Sequence, residues 1–172
     1  MFFGRIIIII LILVLFISGC TQQARKEYWP DGKLKSEIGV KGTIYDGKAT
    51  WWYENGKKQM ECFYKNNQLD SMLTRWFTSG KEQEEQHYRD NKPDGVNRVW
   101  NIDGNLILQR YYSRGFLNGP FKEWHTNGQL KAEGQYKSGN IDGKWYFYDI
   151  YGQVIEIRNY SNGKLVKRIG SQ

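Results

Sequence analysis

The feature that most constrains this chain is a period. Tyr28, Trp52, Trp76, Trp100, Trp124 and Tyr148 stand 24 positions apart, with no insertion or deletion between them. Four positions after each mark stands a glycine: Gly32, Gly56, Gly80, Gly104, Gly128 and Gly152. Twelve positions after it, from the second mark on, stands a tyrosine: Tyr64, Tyr88, Tyr112, Tyr136 and Tyr160. Three columns held in one phase, two over six copies and the tyrosine over five, require a repeat architecture, in which each unit buries its apolar face against its neighbours. The functional question then becomes which surface the units present, not which active site they enclose.

The unit from Trp124 to Phe147 shows the grammar most clearly. Asn127-Gly128 is a strong hairpin signal and predicts a type I′ turn, whose two central residues both need positive φ. Asp31-Gly32, Asn55-Gly56 and Asp103-Gly104 repeat it, while Ser79-Gly80 and Tyr151-Gly152 keep only the glycine. A second turn is predicted at Asp46-Gly47, Asp94-Gly95, Asn118-Gly119 and Asp142-Gly143, with Asp70-Ser71 as the weak copy. Gly115, Gly139 and Gly163 add flexibility just ahead of it. Between turns, Leu130 to Tyr136 alternates apolar or small with polar residues, as a half-exposed strand does. No window carries the i, i+3, i+4, i+7 stripe of a helix. The sequence therefore predicts an all-β fold: an elongated, twisted antiparallel β-meander of about six 24-residue β-hairpin repeats, with about 11 or 12 strands at two per repeat.

Within that frame Trp52, Trp76, Trp100 and Trp124 are assigned to a packed aromatic ladder, which is the core of the sheet. Gly56, Gly80, Gly104 and Gly128 are assigned to its turns. The column one position after the marks begins Trp29, Tyr53, Phe77. Strand alternation places these three on the face opposite the marks, and they are the candidate exposed binding surface.

The beginning of the chain reads differently. Residues 1–19 hold one early charge, Arg5, an unbroken apolar run of 12 from Ile6 to Ile17, and small residues at the exit. That is the grammar of a secretory signal peptide, and the run is short of the roughly 20 residues of an ordinary membrane span. Ile17-Ser18-Gly19-Cys20 resembles the bacterial lipobox, which implies cleavage before Cys20 and lipid attached there. Residues 20–27 then read as the lipidated Cys and a polar tether, and 28–172 as the repeat domain. The expected location is the cell envelope: exported, held by a lipid anchor on a bacterial membrane, the outer membrane in a Gram-negative host. The formal charge of +7 is scattered along the chain, which is no nucleic-acid footprint. Beside Cys20 the only thiol is Cys62, read as a small strand hydrophobe.

No catalytic constellation assembles from these residues. His87 and His125 lie 38 positions apart and out of phase, and no residue suggests itself to orient a Cys/His pair. No Cys/His spacing suits zinc, and no cofactor is expected. Glu37, Glu61, Glu85 and Glu133 share one phase, nine after the mark. They are expected to pair with Lys or Arg across the ladder, with Arg110, Arg158, Lys35 and Lys131 close by in sequence. The chain is read as non-enzymatic.

The unit Trp-x-x-Asn-Gly-x-Leu-x-x-Glu-x-x-Tyr-x-x-Gly-x-x-Asp-Gly, from Tyr28 to about Lys167, resembles the MORN repeat in its bacterial variant form. The second and third copies depart from it: Lys58 and Glu82 replace Leu130, and Asn67 and Asn91 replace Gly139, which suggests looser packing there. The resemblance implies β-hairpin units that serve as interaction scaffolds, some of them lipid-associated, and relatives labelled as antitoxin components. Together with the lipobox it leads to one expectation, a membrane-anchored lipoprotein whose sheet binds a protein or an envelope polymer. The alternatives are an antitoxin or immunity-type inhibitor of a toxin, and a lipid-surface binding module.

Overall fold

A computed structural model describes residues 23–170. The segment read as a signal peptide, Cys20 and the first part of the expected tether lie outside the described residues. Fourteen strands follow one another: β1 (Gln23–Tyr28), β2 (Leu34–Lys41), β3 (Ile44–Trp52), β4 (Lys58–Lys65), β5 (Gln68–Leu69), β6 (Ser71–Trp76) and β7 (Glu82–Arg89), then β8 (Lys92–Trp100), β9 (Leu106–Ser113), β10 (Phe116–Trp124), β11 (Leu130–Lys137), β12 (Asn140–Tyr148), β13 (Val154–Ser161) and β14 (Lys164–Gly170). Among the described residues there is no helix. The strands form one antiparallel sheet in meander order, and β1 and β14 do not pair, so the sheet stays open. At about 4.8 Å per strand the array is roughly 60 Å across.

The count exceeds the expected 11 or 12 for two reasons. One 24-residue unit is broken at Asp70, which separates β5 from β6, and β1 adds a strand ahead of the first mark. The expected tether is also shorter than composition suggested. Residues 23–27 belong to β1, where Lys26 pairs with Glu37 and Arg25 with Ile38. Polar, fully exposed side chains looked like a linker, but a strand backbone needs only a partner to bond.

Both turns differ from the sequence expectation. At the mark end, Gly128 N donates to His125 O at 2.9 Å and His125 N to Gln129 O at 2.8 Å. Only the glycine has positive φ, 87°, and Asn127 does not. This is a three-residue loop, a type I turn closed by a left-handed glycine, and not type I′. Asn127 Oδ1 accepts from Gln129 N at 3.1 Å, which explains the Asn at that place. The type I′ turns lie at the other end: Asn66-Asn67, Asp90-Asn91, Arg114-Gly115, Ser138-Gly139 and Asn162-Gly163 all have two positive φ values. The Asp-Gly pairs predicted as the second turn are β-bulges inside strands. Register shifts between Gln86 and Tyr88 opposite Gly95, and likewise along the other hairpins. Gly95 and Gly119 hold φ of 120° and 122°, and a Cβ at Gly95 would stand 2.9 Å from His87 Cβ.

The bulges decide which side chains share a face. One row crosses the sheet: Ile38, Ala49, Cys62, Leu73, Gln86, Asn97, Arg110, Phe121, Gly134, Trp145 and Arg158, directly opposed in register except at Cys62/Leu73 and Gly134/Trp145, which are joined by packing. It lies on the side of the tyrosine column, here called the tyrosine face. The core follows this row, three positions before each mark and ten after it: Ala49, Cys62, Leu73 and Trp145 are buried, as is Ala132 two positions before Gly134. The tryptophan marks are not the core. Three positions on from the row, strand alternation puts the marks on the opposite side at the strand ends, where Trp52 lies with Thr50 and Glu61 and the tryptophans are half-buried. The second and third units do not pack loosely. Ala49, Cys62 and Leu73 form a closed cluster with Ile38, Trp51, Met60 and Tyr64. Asn67 and Asn91 replace glycine by accepting left-handed φ, and each Oδ1 takes a backbone amide, Tyr45 N and Leu69 N, at 2.6 Å.

Candidate functional site

Each repeat is stapled to the next, and the staples consume most polar side chains. Asn67, Asn91, Gly115, Gly139 and Gly163 donate their amides to carbonyls 22 residues earlier, at 2.8–2.9 Å. The bulge carboxylates and amides reach the following turn: Asn118 Oδ1 accepts from Ser138 N at 3.1 Å and Asp142 Oδ1 from Asn162 N at 3.2 Å. At the mark end, Asn55 Nδ2 and Asn127 Nδ2 donate to Thr78 O and Ile150 O.

The column after the marks belongs to the same set of staples. Trp29 Nε1 donates to Trp52 O at 3.3 Å, and Tyr53 Oη donates to Trp76 O at 2.7 Å. His125 Nε2 lies 3.0 Å from Tyr148 O, so this histidine is a packing residue. Trp29, Tyr53 and Phe77 are half-buried. Trp29 and Tyr53 line a shallow rim groove with Asn55, Gln59 and Thr78. Tyr53 also meets Trp51, Met60 and Arg75, which places it on the tyrosine face. Lys35 Nζ lies 5.0 Å from the Trp29 ring.

The tryptophan face is a lattice of ion pairs. Glu37 pairs with Lys26 at 3.0 Å, Glu61 with Lys48 and Lys58 at 3.0 and 2.6 Å, Glu85 with Arg98 at 3.2 Å and Glu133 with Lys122 at 3.7 Å. The glutamate column is thus ion-paired as expected, mostly by the neighbouring strand, with Lys58 on Glu61's own strand as the exception, and not by Arg110, Arg158, Lys35 or Lys131. Arg110 and Arg158 point to the other face because they lie one position further along. Burial pushes the Glu61 carboxyl up, and Lys58 and Lys48 outweigh it, so it stays below the usual range. Burial, joined by the Glu133 carboxylate that its hydroxyl donates to, pushes Tyr148 up to about 12.

The tyrosine face changes character along its length. At the first end it is apolar, over Ala49, Cys62 and Leu73. Burial raises the Cys62 thiol to about 11, which suits a packing residue and not a nucleophile. In the middle it is polar, through Gln86, Asn97 and Arg110. Toward the far end it is aromatic: Trp145 lies 5.1 Å from Phe121, 5.3 Å from Tyr136 and 6.4 Å from Tyr160, centroid to centroid. Burial raises the hydroxyls of Tyr64, Tyr88 and Tyr136. Sequence reading missed this row because its residue types differ from copy to copy; only its constant phase marks it.

The MORN repeat variant family matches residues 24–41, 45–66 and 117–138. The chain is a MORN-repeat protein. Each match covers one hairpin, β1–β2, β3–β4 and β10–β11, read across the mark-end turn. The hairpins between and after them keep the same two turns. No curated protein matches the chain. MORN repeats serve in general as binding and scaffold modules, not as catalysts. No group of three or more His, Cys, Asp or Glu among the described residues is arranged to hold a metal ion. No helix among them is long and apolar enough to cross a membrane.

Proposed function

We propose that this MORN-repeat protein is a lipid-anchored scaffold that holds a protein partner, or an envelope polymer, on its tyrosine face. One observation carries the reading. The repeats tie up the tryptophan face in ion pairs and both sheet ends in staples, while the tyrosine face stays a continuous surface graded from apolar through polar to aromatic. Such a surface suits recognition, since aromatic and Arg residues are enriched where partners bind. The lipobox-like Ile17-Ser18-Gly19-Cys20 supplies the anchor in this reading. Two or three acyl chains hold a protein firmly where one binds only marginally.

The test has two parts. Metabolic labelling with radioactive palmitate should mark the wild-type chain and not Cys20→Ser. Photo-cross-linkers at Leu117 on the tyrosine face and at Lys122 on the tryptophan face should then be compared in intact cells. A partner captured from position 117 and not from 122, and binding the purified chain, supports the scaffold. Capture only from position 122, or hydrolysis of envelope substrates by the purified chain, would overturn it.

A further inference from the structure

We propose that Arg110 is the anchor on the tyrosine face for a carboxylate of a protein partner, an Asp or Glu side chain flanked by apolar residues. This rests on the scaffold reading and names the chemistry of its partner.

Arg110 lies in the central row, opposite Asn97 on β8 and Phe121 on β10. Asn97 is fully buried, with 0% of its surface exposed. Its Nδ2 donates to Glu84 Oε1 and to Glu85 O, both at 3.0 Å. Its Oδ1 accepts from Arg110 Nε at 2.9 Å. The amide is thereby fixed on every side and holds the guanidinium by one nitrogen. The guanidinium carbon lies 5.4 Å from the Tyr112 ring centroid, which orients the plane. An arginine held through Nε keeps its two Nη groups as an end-on fork, the shape that takes a carboxylate bidentately.

The charge of that fork is not answered from within. Arg75, Arg98 and Arg158 pair with Glu84, Glu85 and Glu156. Among the described residues no carboxylate comes within ion-pair distance of Arg110. The residue is half-buried, where an unanswered charge costs most and a carboxylate returns most. Elsewhere in the row the same register holds Ile38, Cys62, Gln86 and Gly134, so the repeat itself requires no cation there, and the one other cation, Arg158, is paired with Glu156.

The surroundings select the source of the anion. Phe121 lies directly opposite Arg110, Leu108 is two positions before it on the same face, and Tyr136, whose hydroxyl feels the Arg110 charge, meets Phe121 edge to face at 5.8 Å. A single planar cation among aromatic rings fits one carboxylate beside apolar side chains. A phosphate carries more charge and needs more donors than one fork supplies.

The experiment uses the full chain in detergent, with ¹⁵N-labelled arginine. The probes are a blocked Leu-Glu-Leu peptide, its Leu-Gln-Leu counterpart and inorganic phosphate. The expected result is a saturable shift of the Arg110 Nε–H signal with Leu-Glu-Leu, at least tenfold weaker with Leu-Gln-Leu. Arg110→Gln, which can still donate to Asn97 Oδ1, should abolish Leu-Glu-Leu binding as read by a Trp145 fluorescence change, with an unchanged melting temperature. Arg110→Lys keeps the charge without the fork and should weaken binding severalfold. Equal response to both peptides, response to phosphate alone, or no shift with any probe overturns the proposal. A partner still cross-linked at position 117 with undiminished yield in Arg110→Gln would overturn the anchor and leave the scaffold standing. Peptide capture at Arg110 without any partner on the tyrosine face would do the reverse.

Discussion

Gly134→Ala separates backbone propensity from packing, because the two predict opposite signs. Gly134 lies within β11, and its φ is not positive. Alanine is therefore free to adopt the backbone, and propensity alone predicts a gain of about 0.5–1 kcal/mol. The packing disagrees. A Cβ at this position would stand 2.4, 2.5 and 2.6 Å from Cδ2, Cε2 and Cγ of the Trp145 indole. The ring lies flat over the glycine and cannot stay. Trp145 is 6% exposed, and its Nε1 donates to Gln135 O at 3.3 Å. Expelling the ring entirely would expose roughly 150–250 Å² at about 25 cal/mol per Å², an upper bound of about 4–6 kcal/mol. Partial displacement costs about 1–3 kcal/mol of overpacking and about 1 kcal/mol for the hydrogen bond. The expected net loss is about 2–3 kcal/mol, or a melting temperature lower by roughly 4–12 °C for a chain of this size. Urea unfolding followed by tryptophan fluorescence and by far-UV circular dichroism measures it. In a Trp145→Leu background the same substitution should cost less than about 0.5 kcal/mol, since the atoms it strikes are gone. A Gly134→Ala chain as stable as wild type, or an equal cost in both backgrounds, refutes the reasoning.

Other outcomes follow from the same contacts. Gly128→Ala meets no atom within 4 Å but forces alanine to φ of 87°, so it should cost about 1–2 kcal/mol through backbone strain alone, read as a lower urea midpoint. Tyr53→Phe removes the hydroxyl that donates to Trp76 O and should cost about 1 kcal/mol by the same measurement. Ion pairing with Arg158 and Arg168 holds the Glu156 carboxyl down to about 2, from an ordinary 4.5. A depressed carboxyl stabilises above its unfolded value and loses that contribution as pH falls through the folded one. Thermal melts should therefore show wild type losing stability between about pH 4.5 and 2 more steeply than Glu156→Gln. Cys62, buried with a thiol raised to about 11, should react with an aromatic disulfide reagent at pH 8 only after denaturation; prompt reaction of the folded chain would contradict its place in the core.

Much of this fold was legible because the repeat prints the same turn six times. The glycines four after each mark do sit in left-handed turns, and the meander order follows from hairpins too short to cross over. The glutamate column was legible as a paired row because carboxylates on a strand need cations opposite. The misreadings share one cause. Asp-Gly signals both a turn and a bulge, since both need a residue at positive φ, and only strand pairing distinguishes them. Once Asp94-Gly95 and its counterparts become bulges, the tight turns move to Asn91, Gly115 and Gly139, and the face of every intervening side chain must be reassigned. The core lies at Ala49 and Leu73 and not at Trp52 and Trp76, which alternation puts on the other face, and Trp29 and Tyr53 each donate a hydrogen bond to the carbonyl of the next mark. The Arg110 site was not legible at all: it depends on a residue 13 positions away, Asn97, held in place by two others.

The sequence by itself determined the period, the all-β class, the meander and the turn glycines, because these follow from local backbone preference repeated in phase. Only the tertiary structure decided which face is the core, which residues staple one hairpin to the next, and that a single arginine stands uncompensated among aromatic rings. Those outcomes depend on register across strands, and one bulge residue is enough to turn a column of side chains from one side of a sheet to the other.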